Sequence, residues 1–145
     1  MDEWQHAITK EGSDLRISTD RPIENLKGHL PIWRKEERIG FECDHWDASR
    51  LVAEYPDVHF GRPWAHALAF RWGADLKACA SAYMAATAYA AASEGVVFDC
   101  EELKIKTPKQ AMETVRRIEA ELPMFEARMK EIVRDILLPN QGDES

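Results

Sequence analysis

Between Ala78 and Ala92 the chain places nine alanines, and no charged side chain occurs from Ala78 to Ser93. Alanine has the highest helix propensity of the amino acids. Residues 75–93 therefore read as a helix, started by Asp75 or Ala74 and ended at Gly95. A helix with no polar face has to be buried on most sides. Its small side chains let its backbone sit close to a sheet or another helix. The rest of the chain must supply that cover.

The first hundred residues read mostly as strands. Residues 3–8 and 15–18 flank Glu11-Gly12-Ser13-Asp14, a turn sequence, and suggest a hairpin. Residues 29–34 and 39–46 flank the charged loop Lys35-Glu36-Glu37-Arg38 and suggest a second hairpin. If Arg34 pairs with Ile39, then Ile32 faces Phe41 and Leu30 faces Cys43. Side chains alternate across a strand. One face then carries Leu30, Ile32, Ile39, Phe41, Cys43 and His45, a core face. The other carries Trp33, Glu42, Asp44 and Trp46, and should look outward. Asp47 is an N-cap for a short helix from Ala48 to Tyr55, ended by Pro56. Residues 64–72 read as a further strand with His66, Leu68, Phe70 and Trp72 on one side, and Val96 to Phe98 as an inner strand.

Thr107-Pro108-Lys109-Gln110 is a helix start with a threonine cap, proline in the first turn and a capping box. Met112, Val115, Ile118 and Leu122 form its apolar stripe. Pro123 is read as separating it from a second helix, where Phe125, Met129, Ile132, Val133 and Ile136 recur at helical spacing. Pro139 stops that helix, leaving residues 139–145 as a frayed tail. The expected fold is a single α+β domain over 1–138: an antiparallel-rich sheet packed by the alanine-rich helix, with two C-terminal amphipathic helices. A chain of 145 residues buries roughly two thirds of its unfolded surface and needs neither disulfide nor metal to fold.

The net charge is −7, with acids and bases spread along the chain. Binding a nucleic-acid backbone needs a local Lys/Arg excess, so no nucleic-acid partner is expected. A basic protein partner suits the charge better. The N-terminal MDEWQHAITKEG is acidic and polar and is no signal peptide. The alanine-rich stretch is too weakly hydrophobic to span a bilayer. Cys43, Cys79 and Cys100 are odd in number and lack CxxC spacing, which argues against a disulfide framework or zinc ribbon. The expectation is a cytoplasmic protein without a cofactor.

The stretch FECDHWD, residues 41–47, concentrates the chemistry. Cys43 and His45 share a face, and His66 could join them from another strand, as a zinc site or a cysteine-dependent active site would require. Close ligand pairs are absent, and no nucleotide-binding or nucleophile-elbow motif occurs. Exposed Trp33 and Trp46 among Glu42 and Asp44 suit contact with a protein instead. The stripe over 124–138 could serve a homodimer.

HALAF, the alanine-rich helix, EGVVFD and the TPKQA helix start, within residues 66–107, resemble a pattern in small bacterial immunity-type proteins. The resemblance implies a protein that binds and blocks a partner, often a toxin. The leading expectation is an acidic protein-binding protein, an immunity protein or an effector chaperone, using Trp33, Glu42, Asp44 and Trp46. The alternatives are a metal-binding or cysteine-dependent enzyme built on Cys43, His45 and His66, and a structural homodimer.

Overall fold

The computed structural model describes residues 2–73 and 75–137, with side chains for 3–73 and 75–128. The elements are α1 (Asp2–Lys10), β1 (Leu15–Ile17), β2 (His29–Arg34), β3 (Glu37–Asp47), α2 (Ala48–Glu54), β4 (His66–Arg71), α3 (Leu76–Ser93), β5 (Val97–Asp99), β6 (Lys104–Lys106) and α4 (Pro108–Leu137). The fold is α+β. Strands β1 to β4 form one antiparallel sheet in sequence order, and β5 and β6 form a separate antiparallel pair.

The alanine-rich helix α3 is the centre of the molecule. It packs against α1 and α4 and lies on β3 and β4. Asp75 caps it by accepting from the Lys77 amide, and Glu94 ends it in the left-handed conformation. Ser81 and Thr87 are buried within it, and their hydroxyls donate to the carbonyls of Lys77 and Tyr83. No buried hydroxyl there is left without a partner.

The core face of the sheet is Leu15, Leu30, Ile32, Ile39, Phe41 and Cys43, all buried. The β2–β3 hairpin forms, with Ile32 opposite Ile39 and Leu30 opposite Phe41. That register differs by two residues from the one read off the sequence. Only Lys35 and Glu36 make the turn, with Lys35 at a φ of 55°; Glu37 and Arg38, charged but extended, prolong the strand. A shift of two preserves side-chain parity, so the expected faces stand.

Three expectations are corrected. Residues 3–8 are helix, not strand: Trp4 and Ile8 are buried with Ala7 packed beside them, the spacing of a helical stripe. Gly12, at a φ of 80°, turns the chain out of this helix instead of making a hairpin. Val97 and Phe98 belong to the small β5–β6 pair, not to an inner strand of the main sheet. Pro123 lies inside one continuous helix, α4. Proline removes one intrahelical bond, but its ring here is exposed, while Ala111, Val115 and Leu122 are buried and Ile118 packs beside them on the helix's inner side. Of the 124–138 surface, Met124 is exposed and Phe125 half-buried; side chains from Met129 onward, and the 139–145 tail, lie outside the described residues.

Candidate functional site

The outer face of the sheet contains no buried residue. It is laid out by the strand pairing: Arg16 beside Trp33, Trp33 beside Arg38, Glu42 beside Arg71, Asp44 beside Ala69, and Trp46 beside Ala67. Helices α1, α3 and α4 all lie on the opposite face. The four residues expected to look outward do share this surface. They do not form one patch. Trp46 lies eight residues along β3 from Arg38, the neighbour of Trp33, and at 3.4 Å per residue that is roughly 27 Å.

Asp44 has a structural task. One carboxylate oxygen accepts from the Gly28 amide at 2.6 Å, and the other accepts from Arg71 at 2.9 Å. Gly28, at a φ of 74°, lies beside β3, where the carbonyls of Gly28 and Leu26 accept from the Cys43 and His45 amides. Asp44 therefore pins the entry to β2. Glu42 is half-exposed and stands 3.4 Å from Arg71. Replacing Asp44 with alanine should cost about 1–3 kcal/mol, since it leaves the Gly28 amide unbonded. Glu42→Ala should stay within about 0.5 kcal/mol. Urea denaturation of the two variants decides this, and equal midpoints would remove the structural role of Asp44.

The exposed cations on this face are the guanidinium groups of Arg16, Arg38 and Arg71, with Glu42 exposed among them and Trp33 and Trp46 half-buried. Arg50 of α2 stacks over Trp46 at 4.0 Å. His29, Gly40, Glu42, Arg71 and Trp72 line a shallow depression of about 350 Å³. Arg38 escaped the sequence reading because it was placed in the loop and not in β3, and Arg71 and Trp72 because they join the surface only once β4 is known to lie beside β3.

The second constellation lies on the other side of the sheet. The His45 and His66 rings meet, with centroids 5.1 Å apart. His66 Nε2 is 2.7 Å from the Tyr89 hydroxyl of α3. Cys43 is one step further along β3 on the same face, but it is in the core. Burial, and secondarily the Asp44 charge, push its thiol up from 9.0 to about 12. Such a thiol is protonated at neutral pH and is neither a nucleophile nor a thiolate ligand. Among the described residues, no group of three or more His, Cys, Asp and Glu side chains is placed to hold a metal ion.

A thiol reagent such as dithionitrobenzoate should find the exposed Cys100 at once and reach Cys43 only on unfolding. Because folding raises the Cys43 value, its contribution to stability is complete below the ordinary thiol range and is lost as pH climbs toward 12. Prompt reaction of all three thiols in the folded protein would contradict this placement.

A third cluster lies at the β5–β6 hairpin, whose end is inside. Lys106 is 9% exposed. Its ammonium donates to the Tyr83 hydroxyl at 3.0 Å and to Thr114 Oγ1 at 3.1 Å, and faces Glu102 at 3.5 Å and Asp99 at 3.8 Å. The Tyr83 hydroxyl donates to Asp99 at 3.0 Å. Burial works against the charge on Lys106, but Tyr83, Glu102 and Asp99 outweigh it and raise its pKa. The amine stays protonated and partnered, so it clamps β5–β6 onto α3 and α4 and is no general base.

No family model matches this chain, and neither the curated proteins nor the solved structures contain a significant match to it. Among the described residues no helix is long and apolar enough to cross a membrane.

Proposed function

We propose that this is a protein-binding protein, of the kind that holds and blocks a partner as immunity proteins and effector chaperones do, and that it engages that partner with the outer face of its sheet. The carrying observation is the open four-stranded face bearing Trp33 and Trp46 with Arg16, Arg38, Arg50 and Arg71. Tryptophan and arginine are the residues enriched at the energetic centres of interfaces. The net charge of −7 draws a basic protein toward the molecule at long range. At contact, Glu42 meets its cations and the arginines meet its carboxylates and carbonyls. Asp44 acts by holding Arg71 and Gly28 in place. Three free cysteines suit a reducing compartment, and the proposal places the protein in the cytoplasm.

The test is capture of a stoichiometric partner from lysate of the source cells by tagged protein, repeated with Trp33→Ala/Arg38→Glu and with Trp46→Ala. The variants should fold as the parent does by circular dichroism and lose the partner. Retention of the partner by all of these folded variants would move the interface off the sheet.

A further inference from the structure

The two edges of the main sheet are treated differently. In β3 the amides of Cys43 and His45 bond toward the segment that leads into β2. Backbone groups alternate in direction along a strand, so Glu42, Asp44 and Trp46 direct theirs to β4, opposite Arg71, Ala69 and Ala67. The N–H and C=O groups of His66, Leu68 and Phe70 therefore point away from the sheet. Among the described residues nothing bonds these six groups. On the far edge the corresponding groups of β1 are covered: Gln5 Oε1 accepts from the Ile17 amide at 2.8 Å, and Gln5 Nε2 donates to the Leu15 carbonyl at 2.9 Å.

Exposed edges are normally blunted by lysine, proline or a bulge. The six residues of β4, HALAFR, contain no lysine or proline, pair with β3 without a bulge, and keep their four apolar members only half-buried. We infer that two copies of this chain join through β4, antiparallel, into one continuous sheet of eight strands. The strand is self-complementary. With Leu68 of one copy opposite Leu68 of the other, His66 lies opposite Phe70 and Ala67 opposite Ala69. All six free groups of each copy are then bonded. No like charges face each other, and the alanines at 67 and 69 let the outer faces close up. Arg71 falls opposite Ala65 and keeps its bond to Asp44. Shifting the pairing by two residues, with Ala69 on Ala69, sends His66 beyond the end of the partner strand and leaves its groups unpaired. A twofold axis through one patch is the commonest form of homo-oligomer. This surface is separate from the face proposed for the partner.

Sedimentation of the full chain across a concentration series tests the inference. The parent should sediment as a dimer at high concentration. Ala67→Lys/Ala69→Lys sets like charges opposite each other twice, on the solvent side of the sheet, and should sediment as a monomer. Ala67→Glu/Ala69→Lys changes the same two positions but sets opposite charges together, and should restore the dimer. A parent that stays monomeric throughout overturns the inference. So does a dimer that the double lysine variant leaves intact, which would place the contact elsewhere. A charge-matched variant that folds but does not dimerise excludes this register.

Discussion

Replacing Trp4 with alanine should lower the stability of the protein by about 3–5 kcal/mol, the range for truncating a large buried aromatic side chain. Trp4 is 1% exposed. Its indole N–H donates to the Ala85 carbonyl at 2.8 Å across 81 residues of sequence. Its ring meets Tyr89 edge-on at 5.4 Å and Phe70 at 6.1 Å. One side chain thus ties α1 to α3 and β4. A domain of this size has roughly 5–15 kcal/mol in all, so the alanine variant should sit close to the limit of folding. Trp4→Phe keeps the aromatic contacts and loses the hydrogen bond, and should cost less. Urea midpoints followed by circular dichroism order the three proteins. A loss under about 1 kcal/mol for the alanine variant would mean that α1 is not part of the cooperative core.

Removing Lys106 should cost about as much by a different route. Lys106→Ala leaves the Asp99 carboxylate, 13% exposed, without its ion-pair partner among the described residues, and breaking a buried pair from one side costs about 3–5 kcal/mol. Lys106→Met restores most of the volume but not the charge and should recover only part of the loss. Adding Asp99→Asn removes the stranded charge and should recover more, so the two positions should be non-additive in a double-mutant cycle. The sign of the pH dependence follows from the raised pKa of Lys106. Its contribution is fully present below the ordinary lysine value of about 10.4 and falls as pH rises through the higher folded value. Between neutrality and about pH 9 the difference between parent and variant should be flat. Additive substitutions, or a difference that vanishes near pH 8, would show that Lys106 is not clamped as described.

The elements legible in the sequence are those whose signals are local. Asp47 and Asp75 accept from amides two residues on, as caps do. Thr107 and Gln110 exchange bonds in a capping box. The alternation in HLPIWR and IGFECDHW marked the core face correctly even though the turn was misplaced, because parity survives a shift of two. The misreadings have equally local causes. Six residues beginning at Glu3 fit a period of two and a period of 3.6 about equally well, and only burial of Trp4 under α3 chooses between them. Pro123 predicts a break, but one lost bond is outweighed where the helix on its N-terminal side is packed.

The candidate site divides in the same way. That Trp33, Glu42, Asp44 and Trp46 share a face could be read from alternation alone. That Asp44 is occupied by Gly28 and Arg71, that Trp33 and Trp46 stand far apart, and that arginines dominate the exposed surface could not, because each depends on which strand lies next to which. The same holds for His45, His66 and Tyr89, which come from β3, β4 and α3 and share no sequence spacing. By itself the sequence determined the helices and strands with strong local patterns, and a central helix without charge that had to be covered on most sides. The tertiary structure alone decided, among the described residues, which faces stayed open, which charges were occupied and which sheet edge was left unpaired. Propensity and periodicity act within a few residues, whereas neighbours across a sheet are set by burial, which belongs to the whole chain.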